Sequence, residues 1–360
     1  MRTRTTVAKR LGTLKRSVAE SVTAEFFQRH PDWLDRYGDR GIEHGIQDAQ
    51  LHIGFLAGAL SGGDPEAFGE YVAWTRRVLE ARGISAPFLR ENLEQIEAAL
   101  LLALPAEDHE SLRAAFQAGY RACDAPSAVE SGPVPGGLGA TARVYLQAIL
   151  QGERQAALSV AREALREGGS LPRLYLDVIE PAQHEVGRLW ETNVIAVADE
   201  HRATAITQYV MAQCFPLIDR PNGCHGRMVM TGVEEELHYV GANMVADVLE
   251  AHGWDVRFLG TNLPHRGILQ AIREHRPSWV GISATTLLSL PEVSRLIGEI
   301  RMTFRDGGPR IVVGGSAFRV SPDAWREVGA DAVGTSLEEA IALLCGGAAG
   351  KPPEQHGGES

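Results

Sequence analysis

Glu236-Leu237-His238-Tyr239-Val240-Gly241 separates an apolar run, Met228–Val233, that reads as a strand from an amphipathic run, Ala242–His252, that reads as a helix. A histidine in such a strand-to-helix loop stands at the carboxyl edge of a parallel sheet, where open α/β folds bind ligands. Neutral imidazole ligates transition metals, and a carboxylate two residues away can hold its other ring nitrogen. Short strings of this kind also arise by chance, and the loop equally suits a nucleotide-binding domain with a structural histidine. Spacing downstream narrows the choice. Forty-one residues separate Gly241 from Ser283-Ala284-Thr285, and twenty-eight more separate Thr285 from Gly314-Gly315. Ser283 and Thr285 close the run Trp279–Ser283 with groups able to hydrogen-bond a buried ligand. Gly314-Gly315 close Ile311–Val313, where missing Cβ atoms are expected to leave space.

These runs belong to a third block, 226–345, whose strands (Met228–Val233, Asp255–Leu259, Trp279–Ser283, Ile311–Val313, Ala332–Gly334) alternate with helices. That alternation predicts a Rossmann-like, flavodoxin-like domain with five parallel strands. A second block, 140–219, reads as a four-helix bundle: Arg143–Gln151, Arg154–Glu167, Leu171–Trp190 and Ala196–Ile218. The first block, 1–123, reads as all helix: Leu14–Arg29, Ile42–Leu60, Pro65–Arg82, Pro87–Leu104 and Asp108–Cys123, with Asp64 placed as an N-cap and Pro65 as first helical residue. The fold class is thus α plus α/β. Residues 124–139 are rich in Pro, Gly and Ser and read as a linker, and 346–360 as a disordered tail.

The chain of 360 residues is long enough for two or three domains. Its net charge of −11 argues against a nucleic-acid partner, and the basic residues clustered in the first sixteen form no recognition helix. Cys123, Cys214, Cys224 and Cys345 have no metal-type or C-x-x-C spacing, which fits a reducing, cytoplasmic setting. No apolar stretch of about 18 residues and no signal-peptide core is present, so neither a membrane span nor export is expected. No nucleophile–base pair or hydrolytic metal site stands out, and a non-enzymatic role is expected.

The string from Glu236 to Gly241, then Ser283-x-Thr285, then Gly314-Gly315, resembles the cobalamin-binding signature D-x-H-x-x-G, S-x-[LT], G-G, with Glu236 in place of the usual Asp. The resemblance implies that His238 ligates cobalt from below, that the nucleotide tail threads beside the sheet past Gly241, and that Ser283, Thr285, Gly314 and Gly315 line its slot. The helical block before it then resembles the cap over the corrin's upper face in methionine-synthase-type modules. Trp190 is followed after nine residues by Glu200-His201, a W-x9-E-H pattern that resembles adenosylcobalamin-dependent light receptors of the carotenogenesis-regulator type. In that family the three residues pack on the adenosyl group. The family's histidine directly after the Trp is Glu191 here, so His201 and water are the alternatives for the upper position after illumination.

The middle of the first block gathers Trp33, Tyr37, Phe55 and Trp74 with His44, His52, Arg36, Arg40, Arg76 and Arg77. Aromatic walls, a histidine near pyrrole nitrogens and arginines for two propionates suit a tetrapyrrole. A plain helical scaffold accounts for the same composition. The three-block order resembles the photocobilins, which hold adenosylcobalamin and biliverdin together. The resemblance implies a cytoplasmic, homo-oligomeric light sensor in which cobalt–carbon photolysis repacks the cap and signals to a partner protein, with biliverdin held non-covalently. The alternatives are a corrinoid carrier for methyltransferases and a cobalamin-dependent antirepressor without bilin.

Overall fold

The computed structural model describes residues 2–126, 137–217, 225–305 and 307–346. Most of the expected linker, Cys224, Ile218 and nearly all of the expected tail lie outside the described residues.

The first block folds as α1 (Arg2–Arg29), α2 (Pro31–Ser61), α3 (Glu66–Glu80), α4 (Ala86–Ala103) and α5 (His109–Asp124). α1 starts at Arg2 rather than Leu14 because Val7, Ala8 and Leu11 continue the buried stripe of Val18, Ala19 and Val22. α2 reaches back to Pro31 across a kink at Gly38, whose φ of 58° and ψ of −156° are a backbone state for glycine. Asp64 caps α3 through its Oδ1, which accepts from Ala67 N–H at 3.3 Å.

The second block comprises α6 (Ala140–Gln151), α7 (Arg154–Arg166), α8 (Leu171–Leu174), a π-turn (Tyr175–Ile179), α9 (Glu180–Glu191) and α10 (Val197–Cys214). The expected single helix Leu171–Trp190 therefore carries a wide turn. Pro181 has no N–H to return to that turn, and the extra residue of a π-turn absorbs the mismatch.

In the third block β1 (Gly226–Gly232), α11 (Val240–Ala251), β2 (Trp254–Phe258), α12 (His265–His275), β3 (Trp279–Ser283), α13 (Leu290–Phe304), β4 (Arg310–Gly314), α14 (Ala317–Val320), α15 (Ala324–Glu327), β5 (Ala332–Gly334) and α16 (Leu337–Cys345) follow in turn. The strands are all parallel in the order β2-β1-β3-β4-β5. Strand order reverses between β1 and β3, so the loops leaving these two strands diverge and open a crevice at their carboxyl ends.

Side chains alternate along the strands and define two cores. Met228, Met230, Trp279 and Val312 face α11 and α16. Val229, Val280, Ile282, Ile311 and Val313 face the other way, and there the sheet and α13 share one continuous core with Leu11, Ile53, Leu56, Phe68 and Leu93 of the first block. The first block is thus built onto one face of the sheet. The helical bundle sits on the opposite side, where Met244 and Val248 of α11 and Leu337 enter its core.

A polar contact ties bundle to sheet domain and makes a pH-dependent prediction. Tyr175 Oη donates to Asp247 Oδ2 at 2.6 Å, and Asn243 Nδ2 donates to the same oxygen at 2.9 Å. Burial raises the Asp247 carboxyl to about 6 and the Glu250 charge adds to the rise, against the opposing pull of the two donors. A carboxyl raised on folding stabilises in full below its unfolded pKa near 4, and that stability is lost as pH rises through about 6. Wild type should therefore lose on the order of 2 kcal/mol relative to Asp247→Asn between pH 4 and 7. Parallel urea-unfolding curves for the two proteins across that window would sink the assignment.

Candidate functional site

The loop after β1 turns at Glu235, whose φ is 67°, and its N–H is held by Asn262 Oδ1 at 3.0 Å. This aims Glu236 inward, where its side chain is 1% exposed. Both carboxylate oxygens are engaged. Oε1 accepts from the backbone N–H of His238 at 2.9 Å and lies 2.7 Å from His238 Nδ1. Oε2 accepts from the Thr285 N–H at 2.7 Å and from Ser289 Oγ at 3.1 Å. Burial pushes the Glu236 carboxyl up, but the bonds from His238 and Thr285 outweigh it and the group ends below the usual range. The same bond raises His238, against the opposing effect of burial. An ionised Glu236 makes Nδ1 the protonated nitrogen and leaves the Nε2 lone pair for a metal.

His238 opens into a cleft of about 1290 Å³ between sheet edge and helical bundle, larger than an ordinary small-molecule pocket. Gly241, Ser283, Thr285, Gly314 and Gly315 line it from the sheet side, and Trp190, Glu200 and His201 from the bundle. Every residue expected in the corrin site except Glu236, which sits behind His238, therefore borders this one cavity. A Cβ on Gly241 would meet nothing within 4 Å, so that glycine does leave open space. The Gly-Gly pair requires a correction. Added Cβ atoms would lie 2.5 Å from Gly334 O at Gly314 and 2.3 Å from Ala284 O at Gly315, so the missing side chains serve the close approach of neighbouring strand ends. Thr285, which lines the cleft, has a further role, because its backbone N–H supports Glu236.

On the bundle side, Thr204 Oγ1 donates to Glu200 Oε1 at 2.8 Å, and the other oxygen pairs with His201 Nδ1. Trp190 lies between Trp74, with ring centroids 6.2 Å apart, and the Arg82 guanidinium, 5.1 Å from its ring centre. Glu191, which follows Trp190, is held by Arg77 Nε at 2.6 Å.

The tetrapyrrole candidates of the first block separate into two groups. At the start of α2, Trp33 packs edge-on against Phe26 and Phe88 and tilted against Tyr37, whose ring Arg36 covers, while Arg40 is exposed. His52, Phe55 and Trp74 gather around Tyr71 farther along. Phe55 lies 3.8 Å from the Tyr71 ring in a parallel stack, and His52 Nδ1 is 2.7 Å from Tyr71 Oη. Burial lowers His52 to about 4. His44 is exposed. Arg76 is committed to Glu80 and to the carbonyls of Ala122 and Cys123, and Arg77 to Glu191. The two groups are separated along α2, with fourteen residues and the kink at Gly38 between Tyr37 and His52, so the candidates do not gather at one place. Trp74 instead lines the corrin-sized cleft.

Three participants were not assigned to this cleft by sequence reading. Ser289 lies beyond the Ser283-x-Thr285 string, and only the turn Leu287–Ser289 returns it to Glu236. Arg82 and Trp74 come from a block with no motif. Among the described residues no group of three or more His, Cys, Asp or Glu side chains could hold a bare metal ion, and no helix is long and apolar enough to cross a membrane.

Comparison with known proteins agrees with this geometry. Residues 226–344 match a B12 binding domain, and 141–214 match a second B12 binding domain model. The chain is 31% identical over 144 residues to the HTH-type transcriptional repressor CarH of Myxococcus xanthus, a match covering 40% of this chain and 47% of that protein. It is 29% identical over 166 residues to dimethylamine corrinoid protein 2 of Methanosarcina mazei, covering 44% of this chain and 71% of the relative. The chain thus spans less than half the length of the first of these relatives. Among solved structures, the Methanosarcina barkeri monomethylamine corrinoid protein aligns with a TM-score of 0.49 at 19% identity, over 55% of this chain and 94% of that one. A histidine backed by a buried carboxylate, facing a cleft of this size between two B12 binding domain matches, makes the chain a cobalamin-binding protein.

Proposed function

We propose that the chain is a cytoplasmic light sensor that binds adenosylcobalamin in the cleft, with His238 below cobalt and Trp190, Glu200 and His201 against the adenosyl group. The observation that carries this reading is the convergence of those three side chains on the wall opposite His238. Trp190 offers a broad apolar face, and Glu200, fixed by Thr204, can accept from a ribose hydroxyl or the adenine amine. Adenosylcobalamin supplies a cobalt–carbon bond that visible light breaks. Loss of the upper group would leave Trp190 without its packing partner and let the bundle move against α11, altering how protomers associate and how a partner protein is met. Biliverdin, held non-covalently on the first-block aromatics, is proposed as the second chromophore.

A corrinoid carrier for methyltransferases is the second reading, and the likeness to the dimethylamine corrinoid protein favours it. An antirepressor role without bilin is the third. Affinity separates the first two. The light-sensor reading expects adenosylcobalamin to bind at least about 10-fold more tightly than methylcobalamin, with Trp190→Ala or Glu200→Ala reducing that preference, since each removes a buried contact of 1–2 kcal/mol. Equal wild-type affinities, or a spectrum unchanged by illumination, would favour the carrier. The bilin has its own test. Co-expression with a haem oxygenase should add a red absorption band, and a protein colourless above the cobalamin bands loses the second chromophore.

A further inference from the structure

We propose that the first helical block is a brace that positions the axial histidine: α2 fixes the turn Leu287–Ser289, and that turn fixes Glu236 on His238. Gly54 and Gly58 of α2 and its C-cap Gly62 recur every four residues and so lie along one side. A Cβ on Gly54 would lie 2.4 Å from Leu288 Cδ1, and one on Gly58 only 2.0 Å from Leu287 O. At Gly62 it would meet Leu290, Ser321 and Ala324 at 3.2 Å. α2 therefore lies directly on the backbone of the turn. The turn delivers Ser289 Oγ to Glu236 Oε2 at 3.1 Å, beside the Thr285 N–H at 2.7 Å, and the other Glu236 oxygen holds His238 Nδ1 at 2.7 Å. Neither Gly54 nor Gly58 borders the cleft, so their influence on it runs through these bonds.

The same block grips the opposite wall. Arg82 donates to the carbonyls of Trp190 at 3.1 Å and Glu191 at 3.2 Å, and Arg77 holds the Glu191 carboxylate. One rigid helical unit thus touches both the support of the lower histidine and the end of α9 that carries Trp190. A shift of α9 is felt at Glu236 through packed helices rather than through solvent.

The inference rests on the reading of His238 as axial ligand, and its test reads His238 without cofactor as well as with it. In the cofactor-free 360-residue chain, the His238 ring nitrogens are followed by NMR, and hydroxocobalamin affinity and spectrum are measured in parallel. Gly58→Ala should weaken the Nδ1–H bond to Glu236 and lower affinity about 10-fold, as Ser289→Ala does, in the range typical of groups behind a metal ligand. The double variant should lose little more than either single one, because both act on the same bonds. Gly12→Ala in α1, where an added Cβ meets nothing within 4 Å, should change neither readout. If Gly58→Ala does not fold, Leu288→Ala removes the contact at Gly54 without intrusion and carries the same expectation. A folded Gly58→Ala or Leu288→Ala protein with an unaltered His238 signal overturns the brace, as does simple additivity with Ser289→Ala. An altered NMR signal with an unchanged corrinoid spectrum in His238→Ala would keep the brace and remove the ligand assignment.

Discussion

Substituting alanine for His238 should lower hydroxocobalamin affinity by at least about 100-fold and replace the histidine-ligated spectrum with one of water or the cofactor's own base. The size of the effect follows from how completely the site is committed to this ring. Glu236 is buried, its two oxygens are shared among the Thr285 N–H, Ser289 Oγ, the His238 N–H and His238 Nδ1, and each partner satisfies a charge that could not otherwise stay ionised there. Removing the imidazole deletes the proposed ligand and also leaves part of that carboxylate unpaired. A stability loss of about 1–3 kcal/mol should accompany the loss of binding. Glu236→Gln is the milder companion. It keeps the shape but weakens the hold on Nδ1–H, and about a 10-fold loss of affinity is expected. Titration of each variant by absorbance gives both numbers. Wild-type affinity in His238→Ala would mean that cobalt is held from elsewhere.

The Glu236–His238 pairing was legible because its chemistry is local. Glu236 and His238 are two residues apart, and the strand-loop-helix pattern around them leaves few places for the loop to go. The substitution of Glu for Asp proved harmless to that geometry: the longer side chain still reaches His238 Nδ1 at 2.7 Å. Trp190, Glu200 and His201 were legible as a spacing, and the turn between α9 and α10 does bring them to one wall. The first block was read poorly for an equally physical reason. Its aromatics and arginines are abundant, and composition alone cannot tell an aromatic that faces a ligand from one that packs a helix. Arg76 and Arg77 looked free in sequence, yet in the fold they tie helix ends together. Likewise, no periodicity could report that α2 would share a core with the sheet, since an apolar face records that it is buried but not against what.

The glycines give the sharpest division between packing and binding, and the two kinds should differ in whether stability falls with affinity. Gly315 has φ of 103°, and its missing Cβ would lie 2.3 Å from Ala284 O and 2.8 Å from Ala284 C. Ala284 cannot retreat, because its N–H is given to Gly314 O at 2.9 Å and its carbonyl accepts from the Ala317 N–H at 3.2 Å. Gly315→Ala combines a strained backbone with a backbone-to-side-chain collision, each about 1–3 kcal/mol, so a destabilisation of about 3–5 kcal/mol is expected. Relief by parting the β3 and β4 loops would draw Thr285 away from Glu236, so cobalamin binding should fall together with stability. Gly241 borders the same cleft, but an added Cβ there meets no atom within 4 Å. Gly241→Val should stay within about 1 kcal/mol of wild-type stability. Its branched side chain would nevertheless occupy cofactor space and lower affinity by about 10-fold or more. Urea unfolding and cobalamin titration of the two variants provide the test. A stable Gly315→Ala protein that binds normally would undo the packing role given to the Gly-Gly pair, and an unfolded Gly241→Val protein would undo the open wall assigned to the cofactor.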